Sequence, residues 1–541
     1  MAVNSVNTPS GRSPKHNSAA RNTDLYSDHE GMAATISSHP EPGLFKHAGI
    51  VAIVVGVLLR VVGSMQDLDQ PIWRQSDLWA MARGFLLEDA NPFHPRVAWR
   101  GVTNGLAESE FPLVPWVTSL FWRVFGEHDY LLRLLPFASG IISLLTFSLI
   151  ARSLIDARAA WIAIACVSVA PLAVFVGTAV QSDGVMLCSS LLAVLAAVRW
   201  TTDQQSWSQQ RWPIMLGVSV AVAGLMKPTA LHIGVVIAAV LVVRQGKSSL
   251  VRPSVIAAGL LGVGLPLAWA WYAHTLYVST GLSLGISNEH HIAGSELLTN
   301  PNLLRGIVSL EARWVWGLAV VPVGFALVTG RRSAVVRIIF AWLASAALML
   351  LIAGRTTGDG WAYYYHVVMV APVALLTGVG ISEATGRVRR MSKLSAISAR
   401  RIEMTALLVV ALIAAPWVRT SLRVVRPQAP SPLFNCAQRV RSTLQPGLLL
   451  TSGGIRLDDG GNGVAYDASY VFHWLDRRGW TIAIEDQSVD NVELFALQGA
   501  VAYFAETDAV AQRPGFGDAL RSKYRVLAVC DRTATVYDLT R

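Results

Sequence analysis

The chain has too few charged residues for an ordinary soluble protein. Only 15% of its 541 residues are charged, whereas soluble domains carry roughly 25%. The missing charge is concentrated in long apolar runs, as at 47–64, 131–155 and 161–180. A helix of about 20 apolar residues crosses the hydrocarbon core of a bilayer. The composition therefore excludes a single soluble domain and predicts a polytopic α-helical membrane protein.

Cysteines and phosphate-binding loops are also scarce. Four cysteines in 541 residues exclude a scaffold built on disulfides. Cys166 and Cys188 fall in apolar runs, whereas Cys436 and Cys530 lie in the more polar C-terminal region. Sequence spacing leaves open whether this second pair is oxidised. No Gly-x-Gly-x-x-Gly or Gly-Lys-Ser/Thr loop opens a helix in that region, which argues against a nucleotide-binding domain there.

The basic residues are distributed as expected for a membrane protein. The formal net charge is +10, but Lys and Arg are split among alternate short loops, of which 387–401 is the richest. This distribution favours basic loops on the cytoplasmic side over nucleic-acid binding, which needs one continuous patch. The rule predicts about eleven spans, with the N-terminus inside and the C-terminus outside. The predicted spans are 47–64, 131–151, 159–180, 184–199, 213–229, 231–244, 253–273, 312–330, 335–353, 365–384 and 402–419.

Three regions complete the predicted organisation. Residues 1–46 are polar and are predicted to form a disordered cytoplasmic tail. Residues 47–419 form the predicted membrane domain. It includes a long outer loop, 65–130, in which the short apolar stretch 111–126 is expected to lie along the membrane interface. Residues 420–541 alternate strand-like and helix-like segments, which predicts a small extracytoplasmic α/β domain with a partly parallel sheet.

Ionisable residues at outer helix ends form the candidate site. Such groups are costly near the hydrocarbon and often functional. A carboxylate can take a proton from an acceptor hydroxyl or amine, and Lys or Arg can neutralise a leaving phosphate. Tyr and His can hydrogen-bond a phosphate or stack on a sugar. The candidates are Arg74, Asp77, Glu110, Asp183, Lys227, Arg355, Tyr364 and His366.

Several of these residues also have purely structural explanations. Asp183 could cap the helix that follows it, and Lys227 could extend to the interface from a helix end. Tyr364 could belong to an aromatic belt, and His366 could be a structural hydrogen-bonding group. Asp77 is the hardest to explain in this way, because apolar and aromatic residues surround it.

The order of short motifs resembles that of a known family. Trp73-Arg74-Gln75-Ser76-Asp77, followed by Ala82-Arg83-Gly84-Phe85, is similar to the opening of bacterial membrane glycosyltransferases. These enzymes are related to the protein O-mannosyltransferases (family 39) and to the transferases that add aminoarabinose to lipid A, and they share the type C glycosyltransferase fold. The resemblance covers roughly residues 50–385 and continues through Glu110–Pro115, Phe125–Pro136, Ala151–Leu154, Gln181–Met186 and Tyr364–Pro372.

The resemblance implies roles for particular residues. Asp77 would be the catalytic carboxylate that activates the acceptor, and Glu110 and Asp183 match two further acidic positions. The chain departs from the family pattern in two places. Phe111 stands where the aminoarabinose transferases have Lys, and Ser182 precedes the second acid where Pro is common. The family donor is a sugar on undecaprenyl or dolichyl phosphate, and transfer inverts the anomeric centre.

We therefore predict a glycosyltransferase of the cytoplasmic membrane that transfers a hexosyl or pentosyl group from a polyprenyl-phosphate donor on the outer face. The acceptor, whether glycan, lipid or protein, is not fixed. No metal site is predicted, because adjacent His290 and His291 are poorly spaced as ligands, and dependence on a divalent cation stays open. Two alternatives remain. A transporter or glycolipid flippase predicts two similar halves, and a non-catalytic scaffold for envelope-polymer assembly would tolerate loss of Asp77.

Overall fold

Helices make up most of the chain from its first described residues onward. The computed structural model describes residues 43–203, 208–285, 291–391, 396–457 and 466–540. The predicted disordered tail lies outside these residues except for its last four. The helices of the membrane portion are α1 Gly43–Ser64, α2 Trp73–Leu87, α3 Leu113–Phe125, α4 Leu134–Leu154, α5 Ala157–Val169, α6 Pro171–Val176, α7 Asp183–Thr202, α8 Ser208–Met226, α9 Ile233–Gln245, α10 Pro253–Thr280, α11 Glu296–Thr299, α12 Pro301–Glu311, α13 Val320–Thr329, α14 Ala334–Ile352, α15 Gly354–Thr357, α16 Val370–Met391 and α17 Ala396–Val425.

Nine helical segments among the described residues are long and apolar enough to cross a bilayer. Apolar side chains such as Leu260 and Leu267 are exposed on the outside of the bundle, as lipid contact requires. The predicted polytopic helical fold is confirmed. The nine segments are Gly43–Ser64, Asp129–Leu154, Asp183–Thr202, Pro228–Gln245, Pro253–Thr280, Pro301–Thr329, Ala334–Ile352, Gly360–Met391 and Arg400–Val425.

Two of the eleven predicted spans do not form a single helix that is long and apolar enough to cross a bilayer. The first, 159–180, is broken because Ala170 is extended and Pro171 begins a new helix, α6. Proline disfavours the helical conformation in the residue before it. The second, 213–229, corresponds to α8, whose first turns are polar and which carries Pro213 inside the helix. The interfacial stretch 111–126 forms the 13-residue helix α3, which is too short to span.

The C-terminal region folds around one mixed sheet. Its strands are ordered β2-β1-β3-β5-β4; β1 pairs in parallel with β2 and β3, and β5 pairs antiparallel with β3 and β4. The predicted small α/β domain is confirmed, although strand β5 was not predicted. The elements are α18 Pro432–Val440, β1 Leu448–Ser452, α19 Tyr470–Leu475, β2 Gly479–Ile482, α20 Val489–Leu497, β3 Ala500–Glu506, α21 Thr507–Ala511, α22 Phe516–Lys523, β4 Arg525–Cys530 and β5 Ala534–Asp538.

This domain packs on the long outer loop. Leu78 and Phe85 of α2 share one buried apolar cluster with Phe472 and Trp474 of α19. The indole nitrogen of Trp474 donates to the carbonyl of Leu68 at 2.8 Å. Many residues of α2 are buried, among them Leu78, Met81, Ala82 and Phe85, and the helix shows no amphipathic pattern. Its position brings the C-terminal domain against the region that carries Asp77.

A disulfide fastens the C-terminal domain. Cys436 on α18 is bonded to Cys530 at the end of β4, with a Cα–Cα distance of 5.5 Å across 94 residues of sequence. The open question from the sequence is thereby answered. Disulfides of this kind persist in oxidising compartments; the outer location of this domain stays a prediction.

Replacing both of these cysteines by Ser should destabilise the C-terminal domain. Closing a loop of this length contributes roughly 4–5 kcal/mol in a chain-entropy account. We expect limited proteolysis to cleave the domain faster in Cys436→Ser/Cys530→Ser than in wild type. A reductant should accelerate cleavage of wild type and leave the variant unchanged. Equal cleavage of both proteins without reductant would contradict this prediction.

Candidate active site

Asp77 lies in the second turn of α2 and is buried. The indole nitrogen of Trp99 donates to its Oδ1 at 3.0 Å. Ser469 of the C-terminal domain is within hydrogen-bonding reach of the same carboxyl and donates to the carbonyl of Trp73 at 3.0 Å. Burial raises the pKa of Asp77 to about 6, although Trp99 and the charge of Arg74 oppose the shift. The carboxyl is therefore fixed in place and titrates near neutral pH.

Arg74 lies one turn before Asp77 on the same helix. It forms an ion pair with Glu110, just before α3, whose side chain is only 10% exposed. Spacing of three residues on a helix places Arg74 and Asp77 on neighbouring positions of one face. The charge of Arg74 acts on Asp77 and on the ring hydroxyls of Tyr364 and Tyr365. This arginine is therefore the link between the α2 carboxyl and the rest of the cluster.

A second buried ion pair completes the cluster. Lys227, in the turn after α8, lies 3.0 Å from Oδ1 of Asp183, the first residue of α7, and both side chains are almost fully buried. The Lys227 ammonium lies over the ring of Tyr365 at 3.8 Å and over that of Tyr364 at 4.7 Å. Asp183 also interacts electrostatically with Glu110 and Arg74. Capping and snorkelling do not describe these residues, since each faces an opposite charge inside the protein.

Two of the predicted site residues have their polar contacts elsewhere. His366 interacts with Glu311 Oε1 at 2.6 Å and with the carbonyl of Thr357 at 2.9 Å, which uses both ring nitrogens. Arg355 lies 2.5 Å from a carboxylate oxygen of Glu296. The structure therefore joins Arg74, Asp77, Glu110, Asp183, Lys227 and Tyr364 in one electrostatic cluster, and it gives His366 and Arg355 partners of their own.

A carboxyl of the C-terminal domain joins this cluster, and no sequence motif pointed to it. Asp467 lies in the segment that leads into α19, and the charge of Asp77 acts on its carboxyl group. Burial, with the charge of Asp77, raises the pKa of Asp467 to about 8. The two acids are separated by 390 positions, so no local motif connects them. Only the packing of the domain on α2 brings them together.

The described residues contain no group of three or more His, Cys, Asp or Glu side chains that could hold a metal ion. His290 lies outside the described residues. His291 is described, and its ring nitrogens face Thr356 Oγ1 at 2.5 Å and the carbonyl of Gly285 at 2.6 Å. Its ring therefore has a structural explanation.

Comparison with known proteins identifies the fold. Residues 109–272 match the family model of dolichyl-phosphate-mannose-protein mannosyltransferases. That segment contains Glu110, Asp183 and Lys227, and Asp77 precedes it. No curated protein matches the chain in sequence.

Solved structures give the same answer. ArnT from Cupriavidus metallidurans, in the apo state and bound to undecaprenyl phosphate, is similar with TM-scores of 0.59 and 0.60 at 14% identity; the match covers 91% of this chain and 97–98% of ArnT. The oligosaccharyltransferase of Archaeoglobus fulgidus tethered with an acceptor peptide is similar with a TM-score of 0.56 at 12% identity, over 93% of this chain and 74% of that one. The chain therefore has the type C glycosyltransferase fold predicted from its motifs.

Proposed function

We propose that the chain is a glycosyltransferase that moves a sugar from a polyprenyl phosphate to an acceptor at the outer face of the cytoplasmic membrane. The fold, the mannosyltransferase match over 109–272 and a similar structure that binds undecaprenyl phosphate support this proposal. The observation that carries it is the buried Asp77, held by Trp99 beside the ion pairs Arg74–Glu110 and Asp183–Lys227.

Asp77 acts as the general base in the proposed mechanism. Its carboxylate takes the proton of the acceptor group while that group's lone pair attacks the anomeric carbon. The bond between this carbon and the phosphate oxygen breaks, and the electron pair leaves with the polyprenyl phosphate. A base with a pKa of about 6 is ionised at neutral pH and still basic enough to accept a proton. Attack from the side opposite the phosphate gives inversion.

Lys227 and Arg74 stabilise the leaving phosphate in this proposal. An ammonium has three donors, and the contact with Oδ1 of Asp183 at 3.0 Å accounts for one of them. The remaining donors are available for phosphate oxygens, which gain negative charge as the bond breaks. Tyr364, under the ammonium, orients Lys227 and can donate to the phosphate. Asp183 and Glu110 hold the two cations in place before substrate binds. Arg355 and His366 position the helices around the site through Glu296 and Glu311.

The proposed base makes transfer depend on pH. The rate should fall as pH drops through about 6, because protonated Asp77 cannot accept a proton, whereas a free Asp side chain would titrate near 4. Asp467 is already protonated in that range, given its pKa of about 8. Asp467→Asn should therefore keep the acid limb of a pH–rate profile near 6. An acid limb near 4, or none, would contradict the role of Asp77.

The proposed orientation can be tested with single introduced cysteines. The native cysteines give little background, since Cys166 and Cys188 are buried and Cys436 and Cys530 are bonded to each other. In intact cells, or in spheroplasts if an outer membrane blocks access, a membrane-impermeant maleimide should label Asp490→Cys in the C-terminal domain. It should not label Arg390→Cys at the end of α16 until the membrane is opened. The reverse pattern would place the C-terminal domain in the cytoplasm.

A donor panel tests the proposed activity. Purified full-length chain in detergent is incubated with labelled sugars carried on polyprenyl phosphate or on a nucleotide, together with a membrane extract as the source of acceptor. We expect transfer from a polyprenyl-phosphate sugar and none from its nucleotide counterpart. Transfer from nucleotide sugars alone would overturn the proposed donor class.

A further inference from the structure

A cavity lies beside the candidate active site, between the long loop 65–130 and the C-terminal domain. Its volume is about 510 Å³, within the range of small-molecule sites, roughly 300–1,000 Å³. One wall is the C-terminal half of α2, another is the segment 96–100, and the third is formed by 447–448 and 476–478. None of these segments belongs to the nine candidate spans.

Arginines dominate the lining, and we call this space the arginine cavity. Only two acids, Glu88 and Asp476, share the lining with the guanidinium groups. Guanidinium groups bind carboxylates and phosphates through two parallel hydrogen bonds, so a lining of this kind favours an anionic ligand. The lining arginines are Arg83, Arg96, Arg100, Arg477 and Arg478.

The carboxylates in and around the cavity neutralise only part of the positive charge of the lining arginines. Glu88 contacts Arg100 at 2.5 Å and Arg96 at 3.5 Å, so one acid serves two guanidinium groups. Asp89 is 3.9 Å from Arg96 and approaches from outside the lining. Among the described residues, Nη1 of Arg96 is buried without a hydrogen-bond partner, as is Nε of Arg100. Buried donors of this kind are usually satisfied, so the surrounding protein leaves part of the hydrogen-bonding capacity of these two guanidinium groups unused.

The remaining three arginines come from α2 and the C-terminal domain. Arg83 pairs with Asp476 at the cavity wall and with Glu127, 3.3 Å away, outside it. In the described part of the chain, Arg477 and Arg478 have no carboxylate within 4 Å. The turn between α19 and β2 therefore contributes two cationic side chains without a close ion pair, although the charge of Arg478 acts on Glu88.

The arginine cavity and the candidate active site share segments of the chain. The segment 96–100 supplies Arg96 and Arg100 to the cavity and Trp99 to Asp77. Backbone hydrogen bonds fasten this segment to the C-terminal domain, from Gly479 N to the carbonyl of Ala98 at 3.1 Å and from Gly101 N to that of Gly479 at 2.6 Å. Gly84 in the cavity wall lies seven residues from Asp77 on α2, a rise of about 10 Å.

We propose that the arginine cavity binds an acidic group, carboxylate or phosphate, on the saccharide portion of the acceptor. This inference rests on the proposed glycosyltransferase function and names the acceptor class. A ligand anchored there by its acidic group can place a hydroxyl about 10 Å away at Asp77. The acidic group is an anchor and not the attacking atom. The C-terminal domain then has a defined role, because it supplies Arg477 and Arg478.

The experiment measures binding to the full chain in detergent by the shift of its melting temperature with ligand concentration. The probes are glucuronate, glucose 6-phosphate, inorganic phosphate and, as the neutral control, glucose. Glucuronate and glucose 6-phosphate should stabilise wild type, and glucose should not. Comparing the two sugars distinguishes a carboxylate preference from a phosphate preference. Inorganic phosphate stabilising as well as glucose 6-phosphate would overturn the saccharide assignment.

Two double variants, each of which removes two positive charges, test whether the acidic sugars bind in the arginine cavity. In Arg477→Gln/Arg478→Gln the apparent dissociation constant should rise about tenfold or more, since a charged hydrogen bond contributes roughly 1.5–3 kcal/mol. Arg521→Gln/Arg525→Gln, on the same domain but outside the cavity, should bind as wild type does. Equal binding by both variants, or no preference of wild type for the acidic sugars, would overturn the proposal.

The melting-temperature experiment measures ligand binding and does not require sugar transfer, so the proposed function and the proposed acceptor site can fail separately. Asp77→Asn should bind glucuronate as wild type does, because Asp77 does not line the cavity. Absence of transfer from every donor would defeat the proposed function, whereas absence of anion-dependent binding would defeat this inference alone.

Discussion

Replacing Asp77 by Asn should lower the rate of sugar transfer by about 10²–10⁴-fold, the usual contribution of a positioned general base. Asn keeps the size of the side chain and can still accept the hydrogen bond from Trp99 at the position of Oδ1. It cannot accept the proton of the acceptor. The loss should appear as a lower turnover number with the protein still folded, and the rate that remains should have no acid limb near pH 6.

Asp67→Asn provides the matched control. Asp67 is an exposed acid in the same outer loop, ten positions from Asp77. Its replacement should leave the rate of transfer close to wild type. If Asp77→Asn and Asp67→Asn turned over equally well, the base would have to be another carboxyl, with Asp183 and Glu110 as the next to test.

Replacing Lys227 by Met should destabilise the membrane domain strongly. The ammonium and the carboxylate of Asp183 are 3.0 Å apart and only 4% and 2% exposed. Removing one member of such a pair leaves an uncompensated buried charge, which costs about 3–5 kcal/mol. The double variant Lys227→Met/Asp183→Asn removes the charge from both partners and should recover most of this stability. It should not recover transfer, because no cation would remain there for the phosphate.

The measurement is unfolding of the detergent-solubilised chain by heat or denaturant. Arg387→Met is the control, since Arg387 forms an exposed ion pair with Glu383 at 3.3 Å, and such pairs contribute at most about 1 kcal/mol. A double variant as unstable as Lys227→Met alone would show that packing around the ammonium, and not its charge, stabilises this region.

Elements with a local signal could be predicted from the sequence. Long apolar runs gave most of the spans, and alternating patterns gave strands β1 to β4 of the C-terminal sheet. Strand β5 was missed because it is only five residues long and follows β4 after three residues. The span at 159–180 was predicted as continuous because apolar composition does not show the break at Pro171. A single proline sets the backbone conformation at this break, whereas a hydropathy value averages over many residues.

Most residues of the candidate site could be predicted from the sequence, but the contacts between them could not. Family motifs pointed to Asp77, Glu110 and Asp183, and the rule that intramembrane charges are functional pointed to Lys227. No local rule shows that Lys227 faces Asp183 instead of the interface, or that His366 turns towards Glu311. The contribution of Asp467 depends on how the C-terminal domain packs on α2. Contacts between distant segments are therefore what the structure adds to the sequence.

The measurement that tests the central claim most directly is the fate of a labelled polyprenyl-phosphate sugar in proteoliposomes that contain the full chain and acceptor extract. We predict that wild type consumes the donor, releases free polyprenyl phosphate and transfers the sugar with inversion, and that Asp77→Asn does none of these at a comparable rate. The contradictory result is a donor that crosses the bilayer intact, equally fast in wild type and Asp77→Asn, which would identify the chain as a flippase.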